Sequence, residues 1–438
     1  MLIDFTIENF LSIKDKLTFS MIASDEENGY EIKTHKLKSY LKLLPAVTIY
    51  GFNASGKSNL IKAMSSLKNQ IIYSKVSDLS LIDKNIFEYK PYKLDDSYLS
   101  VPTSSEIRIF IDELIFEYCL SYNNKEIVSE SLVMIDRKDN YVTLFKRTSD
   151  LINIDYNIDI SIIKKVAGES LLHKPIIGTL SIFDERVTKF VDWMEKDFLI
   201  IENAFDSKEN LKRTTSYLLN KDSSFHVKLI KMLNDISYSN INQIRAENVK
   251  DCLDYEDINQ GVKKILQTNP NIKQVSDGDD NDDSKFDEYT LNTFKQGYDI
   301  YGNKRDVVFN LFEESEGTIK IYALYAYIYD ALYFGKTLII DEMTSYIHPL
   351  VSRYILDLFQ NPQENKSGQL VISTHTTDLL EMKSLRKDQV YVADKEFNET
   401  KIYSLSDIYD VSRNENFRNA YLSGKYGGLN YFRRELNE

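Results

Sequence analysis

Gly51-Phe52-Asn53-Ala54-Ser55-Gly56-Lys57-Ser58 is the stretch on which the reading of this chain turns. It has the spacing G-x-x-x-x-G-K-[ST]. Before it stands the apolar run PAVTIY (residues 45–50), short and closed by a glycine, as a buried strand would be. After it, Leu60, Ile61, Met64 and Leu67 recur at helical spacing across residues 59–71. Strand, glycine loop and helix in that order give the pattern its chemistry. The glycines let backbone N–H groups curl around phosphate oxygens, and the helix N-terminus adds partial positive charge. In such a loop Lys57 reaches the β- and γ-phosphates and Ser58 ligates Mg²⁺. Asn53, Ala54, Ser55, Gly56, Lys57, Ser58 and Asn59 are therefore the candidate ATP-binding residues.

Working outward, Thr337-Leu338-Ile339-Ile340-Asp341-Glu342 reads as a buried strand ending in two consecutive carboxylates. Beside a phosphate loop, Asp341 would face the Mg²⁺ ion, with Ser58 as the other metal ligand, and Glu342 would polarise the attacking water. Alone, such a pair could equally be a solvated turn. A second strand-like run, residues 369–374, ends at His375, placed behind the acids as a γ-phosphate sensor would be. Ser315-Glu316-Gly317-Thr318 precedes a helical pattern over residues 319–333. Ser-x-Gly at a helix start can bind an anion, or Ser315 can simply cap the helix. His348 lies just beyond the acids, whereas His35, His173 and His226 have no partners visible in the sequence and read as surface or core residues.

The segments GFNASGKSNLIKAM, EESEGTIKIYAL, TLIIDEMTSYIHP and ISTHTTDLL, in that order, resemble ABC-class P-loop ATPases of the abortive-infection and OLD-like group, of the AbiLi and RloA type. The likeness extends from FTIENFLSIKDKLTFSM near the start to AYLSGKYGG near the finish. It implies an α/β head of ABC/SMC type that closes around ATP and Mg²⁺ as a homodimer or higher oligomer. It also implies Glu342 and His375 as catalytic residues, with Ser315, Gly317 and Thr318 acting in trans on the nucleotide held by another copy. Members of the group work beside a toxic effector in antiphage defence, so a separate effector, such as an RloB- or Toprim-like nuclease, and a phage-derived trigger are the implied partners. Two departures stand out. Thr344 occupies a place where such sequences often carry an acid, and no Q-loop glutamine is evident between Ser58 and Ser315.

Around these motifs, residues 2–7 and 17–22 alternate like paired strands across the polar turn Lys14-Asp15-Lys16. Residues 107–145 alternate in short runs suited to an antiparallel meander. From about residue 150 helical patterns such as 187–201 and 225–236 take over. The expected layout is thus an ATPase head formed by residues 1–148 and 289–438, carrying the phosphate loop and the acidic pair respectively, with a mainly helical insertion over 149–288. The acidic stretch SDGDDNDDSKFDE (276–288) puts Asp277, Asp279, Asn281 and Glu288 at ligand positions of an EF-hand loop. Asp282, however, stands where the turn needs glycine, and Ser284 where an apolar residue is usual, so a solvated acidic loop is expected instead.

Composition narrows the alternatives. Of 438 residues, 42% are hydrophobic and 28% charged, a globular balance. The net charge of −13 gives no global attraction to nucleic acid, leaving any such contact to a local patch or a partner. Cys119 and Cys252 are isolated, which fits a reducing cytoplasm, and no apolar stretch reaches spanning length. An SMC-like head in DNA repair or maintenance is the alternative function, but neither a long heptad arm nor a CxxC hook is present. A transporter subunit would show a fuller signature than Ser315-Glu316-Gly317. A metabolic P-loop kinase would explain neither that signature nor His375. Only 63 residues follow His375, too few for a Toprim domain, so the effector is expected on another chain.

Overall fold

The computed structural model describes residues 1–24, 34–38, 40–75, 88–148, 151–155, 172–202, 208–220, 222–236, 239–248, 289–382, 384–412 and 415–429. In chain order, β1 (Leu2–Glu8), β2 (Leu17–Ser20), β3 (His35–Lys38), β4 (Leu41–Leu43) and β5 (Ala46–Tyr50) lead into α1 (Lys57–Tyr73). Then come β6 (Thr103–Ile111), β7 (Leu114–Tyr122), β8 (Ile127–Ile135), β9 (Tyr141–Thr148), β10 (Ile152–Ile154), α2 (Ile177–Leu180), α3 (Glu185–Lys196) and β11 (Phe198–Ile201). Next are α4 (Lys208–Leu219), α5 (Ser223–Ile236), β12 (Ile241–Asn248), β13 (Tyr289–Tyr298), β14 (Lys304–Asn310) and α6 (Glu316–Phe334). The chain continues through β15 (Thr337–Ile340), α7 (Met343–Tyr346), α8 (Pro349–Gln360), β16 (Gln369–Thr374), β17 (Val390–Glu396), β18 (Glu399–Ser404) and α9 (Phe417–Leu422).

These elements form two compact units, one of residues Met1–Asn203 with Asp330–Glu438, the other Ala204–Tyr329. In the first, β2, β1 and the meander β6 to β10 make a seven-stranded antiparallel sheet, the period-2 alternation of β6 to β8 turning alternate side chains into the core. A six-stranded sheet has the order β11-β15-β16-β5-β17-β18, in which β11, β15, β16, β5 and β17 run parallel. Its central strands β15, β16 and β5 are buried along their whole length, which is why they read as apolar runs without alternation. One hydrophobic core takes in β1, β5, α1, β6 to β9, α2 and α3.

This partition differs from the expected insertion over 149–288. Residues 151–155 and 172–202 belong to the first unit: β10 extends the meander, and β11 pairs in parallel with β15 from Phe198↔Thr337 to Ile201↔Ile340. The helical pattern expected over 187–201 ends at Lys196, because Phe198-Leu199-Ile200-Ile201 is a short apolar run that satisfies either periodicity and here finds a strand to pair with. In the other direction, residues 289–329 belong to the second unit, which is not purely helical. There β12, β13 and β14 form an antiparallel sheet beside α4, α5 and α6. The acidic stretch 276–288 and Cys252 lie outside the described residues. Among the described residues no helix is long and apolar enough to cross a membrane.

Candidate active site

Parallel pairing brings three chain segments to one sheet edge. In register, Ile340 of β15 lies beside Ile372 of β16, and Ser373 and Thr374 of β16 lie beside Ile49 and Tyr50 of β5. Asp341, His375 and Gly51 therefore leave the sheet together at the carboxyl ends of adjacent strands, where open α/β sheets place ligands. Because β16 stands between the other two, it delivers His375 between the lysine of the loop and the acidic pair.

The loop after β5 turns sharply. Ala54 and Gly56 both have positive φ, 63° and 104°, and Gly56 caps α1 in the left-handed conformation. A Cβ on Gly56 would lie 2.0 Å from Thr400 Oγ1. Thr400 is held against the loop by hydrogen bonds: Asn59 Nδ2 donates to Ser12 Oγ (2.6 Å), Ser12 pairs with Thr400 (2.7 Å), and Thr400 Oγ1 donates to the Ser55 carbonyl (3.0 Å). This relay ties β1's following turn and the start of β18 to the underside of the loop. Asn53 and Ala54 are exposed, Ser58 and Asn59 half-buried in the first turn of α1.

Lys57 is the first residue of α1 and is buried. Its Nζ donates to the carbonyls of Gly51 (2.8 Å) and Phe52 (3.2 Å) and lies 3.1 Å from His375 Nδ1. His375 Nδ1 lies between this ammonium and the Gly51 carbonyl (3.2 Å), and its Nε2 lies 3.0 Å from Glu342 Oε1. Lys57, His375 and Glu342 thus form one continuous chain. Burial lowers the Lys57 pKa to about 8, against the opposing pull of the Glu342 and Asp341 charges.

Asp341 is buried at the end of β15, and its carboxylate accepts from the Ser373 hydroxyl. The same Ser373 oxygen accepts the Glu342 N–H at 2.8 Å. Glu342 has φ of 52°, a left-handed backbone that swings its side chain back over the sheet edge toward His375. Thr344, where an acid was expected, is buried with its hydroxyl bonded to Thr374.

The loop fits a phosphate chain on its own evidence. The buried Ser55 hydroxyl has no hydrogen-bond partner among the described residues, the glycine positions admit no Cβ, and the buried lysine of the loop is turned onto carbonyl oxygens. A model of the family described as "AAA domain, putative AbiEii toxin, Type IV TA system" matches residues 47–381, from β5 to just beyond His375. The chain belongs to that family. With this family match and the sheet order above, it is a P-loop ATPase of the AAA type, mixed α/β in fold.

Solved structures similar to this member of the AAA family include three SMC heads. One bound to the C-winged helix domain of ScpA has a TM-score of 0.38 at 11% identity, covering 92% of this chain and 97% of that one. The SMC head domain from Thermotoga maritima has 0.36 at 12%, covering 92% and 98%. A head with an extended coiled coil from Pyrococcus furiosus has 0.33 at 12%, covering 92% and 96%. At these scores the likeness adds nothing to the family match. No curated protein matches the chain.

Ser315, Gly317 and Thr318 lie in the second compact unit, at the N-terminus of α6. Ser315 caps the helix, accepting from the Thr318 N–H (3.2 Å) and pairing with the Thr318 hydroxyl (2.8 Å). Ser315 and Gly317 are exposed, Thr318 buried. His348 caps α8 through the Leu350 N–H. His35 and His226 bond backbone carbonyls, as structural histidines do. Sequence reasoning passed over Ser373, Thr400 and Ser12. Ser373 had a usable signal, since it stands two residues before His375 and so on the same strand face. Thr400 and Ser12 had none, because they meet only across 388 positions of sequence separation.

Proposed function

We propose that the chain binds ATP through Asn53 to Asn59 and hydrolyses it with Glu342 as base and His375 as γ-phosphate sensor. The observation that carries this reading is the hydrogen-bonded chain Lys57–His375–Glu342 at one sheet edge. When nucleotide enters, Lys57 exchanges the Gly51 and Phe52 carbonyls for β- and γ-phosphate oxygens. Glu342 orients a water for attack on the γ-phosphorus and takes its proton as the bond to the bridging oxygen breaks, releasing ADP and phosphate. His375, between Lys57 and Glu342, is placed to donate a ring N–H to the γ-phosphate or the leaving phosphate. Ser58 and Asp341 would hold Mg²⁺, which supplies charge neutralisation on the phosphates when bound.

In the same reading Ser315, Gly317 and Thr318 act on nucleotide held by another copy. Closure and reopening gate a separate toxic effector, of nuclease type, in antiphage defence. The resemblance to the AbiLi and RloA type supports this assignment, and a second chain co-purifying from the native host tests it. The enzymology is tested by steady-state hydrolysis and nucleotide binding, with and without Mg²⁺. Lys57→Ala should lose binding. Glu342→Gln should keep binding and slow turnover by about 10²- to 10⁴-fold, the usual contribution of a positioned base. Wild-type turnover in Glu342→Gln would remove Glu342 from the mechanism.

A further inference from the structure

The segment GKYGG (424–428) is explained by none of the chemistry above, yet it touches the phosphate loop directly. The Gly428 carbonyl accepts the Phe52 N–H at 3.0 Å, and Phe52 is the second residue of that loop. The Phe52 carbonyl in turn accepts from Ser55 N–H (3.1 Å) and from Lys57 Nζ (3.2 Å). One peptide unit of the loop is thus clamped on its N–H side by Gly428 while its neighbour's carbonyl holds the lysine.

The clamp is built to close tolerances. Gly427 and Gly428 have φ of 71° and 72°, in the left-handed region that favours glycine. A Cβ on Gly427 would lie 2.6 Å from Tyr403 Oη and 2.7 Å from Asp394 Oδ2, and one on Gly428 would lie 2.6 Å from Val392 Cγ1. Two tyrosines fix the turn. Tyr403 OH donates to the Tyr426 carbonyl (2.7 Å), and Tyr421 OH donates to the Gly428 carbonyl itself (3.2 Å). The Tyr421 ring packs near Tyr50, the last residue of the strand that feeds the loop. Through Gly427, Gly428 and the two tyrosines the turn thus reaches β5, β17, β18 and the phosphate loop.

We propose that Gly428, held by Gly427, Tyr403 and Tyr421, is a positioning residue that sets the shape of the phosphate loop for the nucleotide's β-phosphate. The inference rests on the reading of residues 51–59 as the nucleotide site. It makes the clamp a determinant of affinity for ADP and ATP alike, because both carry the β-phosphate that the loop encloses.

The test is equilibrium binding of ADP and of ATP, well below the unfolding midpoint, to wild type, Gly428→Ala, the double variant Tyr403→Phe/Tyr421→Phe, and Lys57→Ala. Loss of the clamp should raise both dissociation constants by the same factor, roughly tenfold for Gly428→Ala and less for the tyrosine pair. A purely structural role would lower the melting temperature and leave both constants unchanged. Binding within twofold of wild type in folded Gly428→Ala overturns the proposal; if that variant does not fold, unchanged binding in the tyrosine pair overturns it equally. Wild type that binds neither nucleotide, and so does not differ from Lys57→Ala, overturns the nucleotide-site reading and the clamp with it.

Discussion

Lys57 carries a proton less firmly than an exposed lysine because burial disfavours its charged form, which brings its pKa to about 8. The sign of the consequence follows from linkage. Between about 8 and the ordinary lysine value the unfolded chain holds the proton that the folded chain has released, so this residue's contribution to stability improves as pH rises through that window. Nucleotide binding works in the opposite direction. Phosphate oxygens beside Nζ favour the ammonium, so above pH 8 the site must take up a proton to bind. ADP affinity should therefore hold steady from pH 7 to about 8 and then fall, by up to about tenfold per pH unit. Calorimetry in buffers of different ionisation enthalpy should register proton uptake at pH 9 and little at pH 7. Affinity that stays flat through pH 9 would show that Lys57 keeps its proton in the free protein.

At the scale of the element, β16 does more than carry His375. Ser373 bridges the acidic pair of the neighbouring strand, donating to Asp341 and accepting from the Glu342 N–H. It thereby holds Glu342 in a left-handed backbone that a glutamate adopts only under constraint. Ser373→Ala leaves a buried carboxylate oxygen and a backbone N–H short of partners, which should cost about 1–3 kcal/mol in denaturant unfolding. Turnover should fall more than nucleotide affinity, because Glu342 is displaced while the loop is untouched. Denaturation and turnover indistinguishable from wild type would mean that the bridge contributes nothing. Much of this site was legible beforehand: GFNASGKS, the Asp341–Glu342 pair and His375 each announce themselves through a strand followed by a polar residue. What was not legible is the support. Ser12, Thr400 and Gly428 reach the loop from distant parts of the chain, and nothing local in SIKDK, ETKIYS or KYGG says where those segments will fold back.

For the whole molecule, local patterns located α1, α5, α6, the meander and the buried strands, but not the partition of the chain. Phe198–Ile201 reads as helix or strand until Thr337–Ile340 is known to lie beside it, more than 130 positions away, and that pairing is what moves residues up to 203 out of the expected insertion. The exposed Ser315 and Gly317, on the second compact unit, bear on assembly. If this exposed helix start binds an anion, it serves hydrolysis only where some nucleotide reaches it. If another copy supplies that nucleotide, ATP is the glue of the dimer, and a variant that binds without turnover should stay assembled. Glu342→Gln with ATP and Mg²⁺ should therefore shift in mass from monomer to dimer or higher, while Lys57→Ala should not. Ser315→Arg placed in the Glu342→Gln background should bind ATP yet remain monomeric, since the added side chain fills the exposed helix start. A monomer under every condition would detach Ser315 and Gly317 from catalysis and leave Ser315 as the helix cap it already is. An assembly of the same mass with and without ATP would show that contacts other than the nucleotide hold the copies together.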